Sequence, residues 1–179
     1  MKKVFGLVAS LTVISAVCAG VLAFVNEVTE GPIRETARRN EDSAVRAVMP
    51  AGVVGVSPVG EDVFVGTNAV GAVVGFAAKG ADGGGYGGEI VLMAGFEADG
   101  KTLVCYRTLA AAETPGLGMK LNTPEFSGQF AGRDGSSLAV AKDGGDIEAI
   151  TSATITSRAV CRALGEAQTK VASRRSSIK

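Results

Sequence analysis

The sequence has no histidine and no tryptophan. Without histidine it lacks the commonest general base near neutral pH and the commonest metal ligand. Its three cysteines, Cys18, Cys105 and Cys161, stand far apart with no Cys-x-x-Cys pair, so no zinc or iron–sulfur site made by this chain alone is expected. Net charge is missing too: 18 basic residues balance 18 acidic ones, which removes the broad electrostatic case for nucleic acid as a partner. Any chemistry here is expected to be borrowed from a cofactor. Cys105 and Cys161 read as two buried free thiols acting as small hydrophobes. A disulfide between them is the alternative in an oxidising compartment.

What is present is apolar. A chain of 179 residues has room for one domain and an appendage, and its 46% apolar share suits a globular domain with a membrane segment. Lys2 and Lys3 precede an uncharged run from Val4 to Val25, which as a helix spans about 33 Å, one hydrocarbon core. The basic flank at the N-terminal side puts that end in the cytoplasm and the remainder across the membrane. A cleaved signal peptide is the rival reading, with Ala-Val-Cys-Ala-Gly near the cleavage point. The run continues past that point through Val21-Leu22-Ala23-Phe24-Val25, which favours an uncleaved anchor.

From Pro32 to Val48 the spacing predicts a polar helix with Pro in its first turn and a modest stripe of Ala37, Ala44, Val45 and Val48. Val-rich runs then alternate with Gly and Pro. Val63-Phe64-Val65, Ala72-Val73-Val74-Gly75-Phe76, Ile90-Val91-Leu92-Met93 and Leu103-Val104-Cys105-Tyr106 read as strands, with Asp99-Gly100 as a hairpin turn. The stretch from Lys79 to Gly88 is glycine-dense. It has neither a P-loop Lys-Ser/Thr nor a GxGxxG opening a helix, so it reads first as a flexible connector. Phe126 and Phe130 fall in expected loop, Leu138-Ala139-Val140-Ala141 in a further strand, and the basic tail from Ser173 is expected to fray.

Two stretches carry functional signal. In Glu113-Thr114-Pro115-Gly116-Leu117-Gly118, Pro-Gly dictates a tight turn, and the glycines flanking Leu117 let backbone approach a flat ligand. In Glu148-Ala149-Ile150-Thr151-Ser152-Ala153-Thr154-Ile155-Thr156-Ser157-Arg158, five hydroxyl side chains fall within seven residues, just ahead of a helical pattern of Ala159, Val160, Ala163, Leu164, Ala167 and Val171. Such residues cap helices, but capping needs only one or two. A helix start also seats phosphate, and Arg158 places a cation where the helix dipole prefers an anion.

Both stretches resemble signatures of the FMN-binding domain family. The second is similar to its flavinylation motif, an acidic residue, a short spacer and Ser/Thr-Gly/Ser-Ala-Thr. It matches Glu148, Thr151, Ser152, Ala153 and Thr154, with Glu148 where the family usually has Asp and Ser152 where Gly is common. The first resembles the family's Glu-Thr-Pro-Gly-Leu-Gly residue for residue, and Thr29-Glu30-Gly31-Pro32-Ile33 is similar to its juxtamembrane pattern. The resemblance implies FMN joined to Thr154 by a phosphoester, a bond made by a separate flavin transferase. It implies contacts from Glu113, Thr114, Pro115, Gly116, Leu117 and Gly118 to the ring, with Thr151, Ser152, Ala153, Thr156 and Arg158 around the phosphate and Lys120 as a weaker candidate cation.

The likeness points to the G subunit of the Rnf complex, a membrane-bound ferredoxin:NAD oxidoreductase that pumps ions, with other membrane subunits as partners. The implied fold is α+β: a transmembrane anchor (1–25), a juxtamembrane helix (26–50) and one FMN-binding domain (51–179) with a mostly antiparallel sheet and flanking helices. The implied location is the inner membrane, with the FMN domain on the extracytoplasmic side. The alternatives are the C subunit of a sodium-pumping NADH:quinone oxidoreductase, a free-standing membrane-anchored flavoprotein and a cofactor-free anchored domain.

Overall fold

A computed structural model describes residues 2–176. The chain divides into two units, one ending at Asn40 and one beginning at Glu41. The first is the greater part of helix α1 (Lys2–Val48), the one helix among the described residues long and apolar enough to cross a membrane. Leu11, Val17, Leu22 and Phe24 along it are exposed, which is what a helix whose apolar sides face lipid needs. The sequence pattern starts a separate helix at Pro32. In the structure Pro32 lies inside α1, at the cost of one backbone hydrogen bond.

The second unit is built on five antiparallel strands in sequential order: β1 (Gly55–Pro58), β2 (Val63–Thr67), β3 (Val73–Asp82), β4 (Ile90–Glu97) and β5 (Leu103–Ala111). Each strand joins the next by a hairpin. At the β4–β5 turn Gly100 takes φ 67°, and Asp99 Oδ1 accepts from the N–H groups of Lys101 and Thr102. Short helix α2 (Pro124–Ser127) and several 3-10 turns then lead to α3 (Thr154–Arg175).

The sheet is covered on both faces, because side chains alternate along each strand. Phe76 and Ala78 of β3, with Ile90, Leu92, Ala94 and Phe96 of β4, pack in one core with Ala159, Val160, Ala163, Leu164, Ala167 and Val171 of α3. Ala77 and Met93 point the other way, into a smaller cluster with Ala44, Val45 and Val48 at the end of α1. Two glycines permit these helices to lie close. A Cβ on Gly80 would fall 2.0 Å from the Ala163 carbonyl oxygen, and one on Gly95 would fall 1.8 Å from that of Val48. The antiparallel α+β architecture with a leading apolar helix is the one expected from the sequence.

Details differ. Strand β1 was not legible as one. Leu138-Ala139-Val140-Ala141 is not a strand: Val140 alone forms a bridge, to Ile147, and a 3-10 turn begins at Ala141. Phe126 and Phe130, expected in loop, are buried, and Phe130 meets Phe126 and Tyr106 edge-on. The tail is helical to Arg175, and residues 177–179 lie outside the described residues. All three cysteines are free. Cys105 packs beside the α1 cluster and Cys161 lies in the α3 core, where burial pushes its thiol up to about 11.

Candidate functional site

The two signature stretches meet at the start of α3. Ala153 occupies the N-cap position and no side chain caps the helix, so the N–H groups of its first turn, intrinsically without helical partners, stay open. The run of hydroxyls is therefore not spent on capping. Ser157 Oγ accepts from Ile150 N–H (2.9 Å) and donates to the Ala153 carbonyl (3.0 Å), which fastens the preceding turn to the helix. Thr156 Oγ1 donates to Glu113 Oε2 (2.8 Å), and both residues are buried. Thr151 is exposed, whereas Thr154 at the helix head is half-buried. Ser152 has φ 64° and is the one non-glycine residue with positive φ among those described. That backbone suits Gly far better than Ser, which accounts physically for glycine at this place in related motifs.

Glu113 is the junction of the site. Besides Thr156, it accepts through Oε1 from Gly87 N–H (3.3 Å), and no cation pairs with it among the described residues. The glycines around it make room: a Cβ on Gly118 would sit 2.3 Å from Glu113 Oε2, and one on Gly87 would sit 1.9 Å from the Ala112 carbonyl oxygen. The glycine-dense stretch does connect strands, yet it is not an open spacer. Lys79 to Asp82 belong to β3, and the turn after them packs on residues 112 and 113. The expected Pro-Gly turn forms with Gly116 at φ 76°, and the Thr114 carbonyl accepts from the N–H groups of Leu117 and Met119 (3.2 Å each).

A cleft of about 500 Å³ opens over this junction, lined by Tyr86, Glu113, Thr114, Leu117, Gly118 and the run Ser152 to Thr156. Pro115, Gly116, Thr151 and Arg158 do not line it. Arg158 departs most from expectation. Its guanidinium grips Asp143 at 2.6 and 2.7 Å, and that bond holds the Asp143 carboxyl below its ordinary range. The cation that does reach Thr154 is Lys142, with Nζ 3.5 Å from Thr154 Oγ1. Sequence reasoning missed it, because a lone lysine twelve residues upstream carries no signal. Lys120 is exposed and lies outside the cleft.

An uncapped helix N-terminus at a mainly uncharged cleft, with Tyr86, Leu117 and Ile155 along it and the exposed Lys142 reaching Thr154 from beyond the lining residues, suits a flat ligand that carries a phosphate. Comparison with known proteins agrees. The model of the FMN-binding domain matches residues 85–169. The G subunit of the ion-translocating oxidoreductase complex of Methanosarcina acetivorans is 31% identical over 93% of both chains. The G subunit of the Na(+)-translocating ferredoxin:NAD(+) oxidoreductase complex of Acetobacterium woodii is 34% identical over 89% of this chain and 87% of that one. Among solved structures, the C subunit of the Na(+)-translocating NADH-quinone reductase from Parabacteroides distasonis is 26% identical, covers 61% of this chain and 60% of its own, and superposes with a TM-score of 0.50. The chain belongs to the family of ion-translocating oxidoreductase complex G subunits, and its matched portion is an FMN-binding domain.

The residues present fit FMN. The open first turn of α3 and Lys142 suit its phosphate. Tyr86, Leu117 and Ile155, all at least partly exposed in the cleft, suit the faces and rim of a planar ring.

Proposed function

We propose that this protein is an electron-relay subunit of a membrane-bound, ion-translocating ferredoxin:NAD oxidoreductase of the Rnf type, and that it carries FMN as a phosphoester on Thr154. The observation that carries the linkage is a difference among hydroxyls. Thr156 and Ser157 are buried and committed to Glu113, Ile150 and Ala153, Thr151 lies outside the cleft, and Ser152, which also lines it, stands before the helix on a left-handed backbone. Thr154 lines the cleft, heads an uncapped helix and has no buried partner to give up.

Bound FMN would supply electron transfer in one- or two-electron steps. The chain's part is to hold it. The first-turn N–H groups and Lys142 would neutralise the phosphodiester, while Leu117, Tyr86 and Ile155 would shield the ring from water. A separate flavin transferase would make the bond, and no substrate turnover by this chain alone is expected. Residues 1–25 would anchor the protein in the inner membrane with Lys2 and Lys3 in the cytoplasm. Residues 26–50 would form the juxtamembrane segment, and the domain 51–179 would face the other side, where tethering prevents loss of a cofactor that no pool replaces. Other membrane subunits would donate and accept the electrons. The 31% and 34% identities to G subunits over most of both chains support this complex above the quinone-reductase alternative.

The test is intact mass and peptide mapping of protein purified from its host membrane. An FMN-sized adduct on the peptide containing Thr154, absent in Thr154→Val, is the expected result. Unmodified, colourless protein from that source would overturn the covalent reading.

A further inference from the structure

We infer that Lys142 is the side chain that holds the phosphate at Thr154, and that Arg158 acts only by positioning it through Asp143. This inference rests on the Thr154 reading above and assigns the charge partner within that site.

Lys142 lies in the 3-10 turn Ala141–Asp143. That turn is fixed from several sides. Ala141 N–H donates to the Ile147 carbonyl (2.8 Å), Gly145 N–H donates to that of Val140 (3.2 Å), and Gly144 closes the turn at φ 86°. Asp143 is gripped by both forks of Arg158, which stands on the first turn and a half of α3. A bidentate guanidinium–carboxylate pair fixes orientation as well as distance. It sets the Lys142–Asp143 backbone against the helix start, and from there Lys142 reaches Thr154 Oγ1 at 3.5 Å.

Lys142 makes no salt bridge among the described residues, a state it shares with other exposed cations such as Lys101 and Lys120, but it alone stands within reach of Thr154. Its ammonium stands beside the positive end of a helix, where like charge is unfavourable. An anion between the two reverses the sign of that interaction. Arg158 and Asp143, by contrast, already satisfy each other, so their pair brings no net charge to the cleft. The division of labour is therefore a neutral strut and a free cation.

The experiment uses the full chain, produced with its flavin transferase in membranes, comparing wild type with Lys142→Glu, Lys142→Arg, Lys142→Ala, Arg158→Ala and the Lys142→Ala/Arg158→Ala double variant. Lys120→Ala, outside the cleft, is the control. With the transferase limiting, reversing a charge beside the phosphate should slow flavin loading about tenfold by intact mass, with Lys142→Arg close to wild type. Fully loaded Lys142→Ala should show a displaced phosphorus NMR resonance that Lys120→Ala does not. Arg158→Ala should displace the resonance in the same direction, and the double variant should be no worse than Lys142→Ala alone, as residues acting through one another require. Loading of Lys142→Glu at the wild-type rate would overturn the inference. An unmoved resonance in loaded Lys142→Ala would also overturn it, since the lysine would then serve only transferase recognition. Wild-type protein without any adduct would instead overturn the Thr154 reading itself.

Discussion

Thr156 Oγ1 donates to Glu113 Oε2 across 2.8 Å, joining the hydroxyl motif to the Pro-Gly loop 43 residues earlier in the chain. Thr156 is fully buried and Glu113 is 6% exposed, so neither can turn to water if the other is lost. Thr156→Val keeps the shape and removes the donor, leaving Oε2 buried without it. The expected cost is about 1–3 kcal/mol, measured by urea denaturation of the purified protein. The proposed adduct at Thr154 should form as in the wild type, because Thr156 serves the framework. Loss of the adduct with stability unchanged would identify Thr156 as the attachment point instead.

Ser152 offers the opposite change. Its φ of 64° is unfavourable for any residue with a Cβ, by about 1–2 kcal/mol. Glycine removes that strain and adds freedom to the unfolded chain, so Ser152→Gly should stabilise the domain by a net ~0.5–1 kcal/mol. Ser152→Val should destabilise it. Paired thermal melts decide the matter, and equal midpoints for the two variants would contradict a strained turn at this position.

These two residues also show what a sequence can and cannot disclose. The strands of the sheet were legible because Val63, Phe76, Ile90, Leu92 and Leu103 are apolar, lie in runs rich in β-branched residues and are bounded by turns. Strand β1 was not, since Gly and Pro occupy two of its four places and none of its residues is fully buried. Leu138 to Ala141 has strand composition, but only Val140 finds a partner, so composition misled where pairing was absent. The Pro-Gly loop and the run of hydroxyls that meet at the cleft were legible as short strings. The roles within those strings were not: nothing local distinguishes Thr154, which faces the cleft, from Thr156, which bonds to Glu113, until the helix is placed. Arg158 looked like the anion's partner by proximity in sequence, and Asp143 claims it through a contact fifteen residues away.

Acid should loosen α3 from β3. Asp82, at the end of β3, accepts both forks of Arg162 at 2.8 Å and the N–H of Gly84. The Arg162 hydrogen bonds hold its carboxyl below the ordinary 3.8, against the opposing effect of partial burial. A depressed carboxyl contributes stability that is complete above its ordinary value and is lost as pH falls from there through the depressed value. Wild-type stability should therefore drop more steeply than that of Asp82→Asn as pH is lowered from about 5 to about 2. Parallel curves across that range would remove Asp82 from the set of groups that govern acid stability.

The loop carrying Tyr86 should respond to one methyl group at one place and not at another. A Cβ on Gly87 would lie 1.9 Å from the Ala112 carbonyl oxygen and 2.6 Å from its carbon, which are backbone atoms that no rotamer change can move aside. A Cβ on Gly83, four residues earlier in the same loop, would meet nothing within 4 Å. Gly87 N–H is also one of the two donors to Glu113, so displacing it unpairs a buried carboxylate oxygen. Gly87→Ala should cost roughly 1–3 kcal/mol, the usual range for forcing atoms into packed space. It should also move Tyr86 off the cleft. With FMN attached, that motion is read as lower fluorescence anisotropy of the flavin and faster quenching by iodide. Gly83→Ala should change neither stability nor quenching. If the two variants behave alike, the glycines of this loop serve as a spacer, and the close packing of residues 85–88 against Glu113 does not govern the cleft.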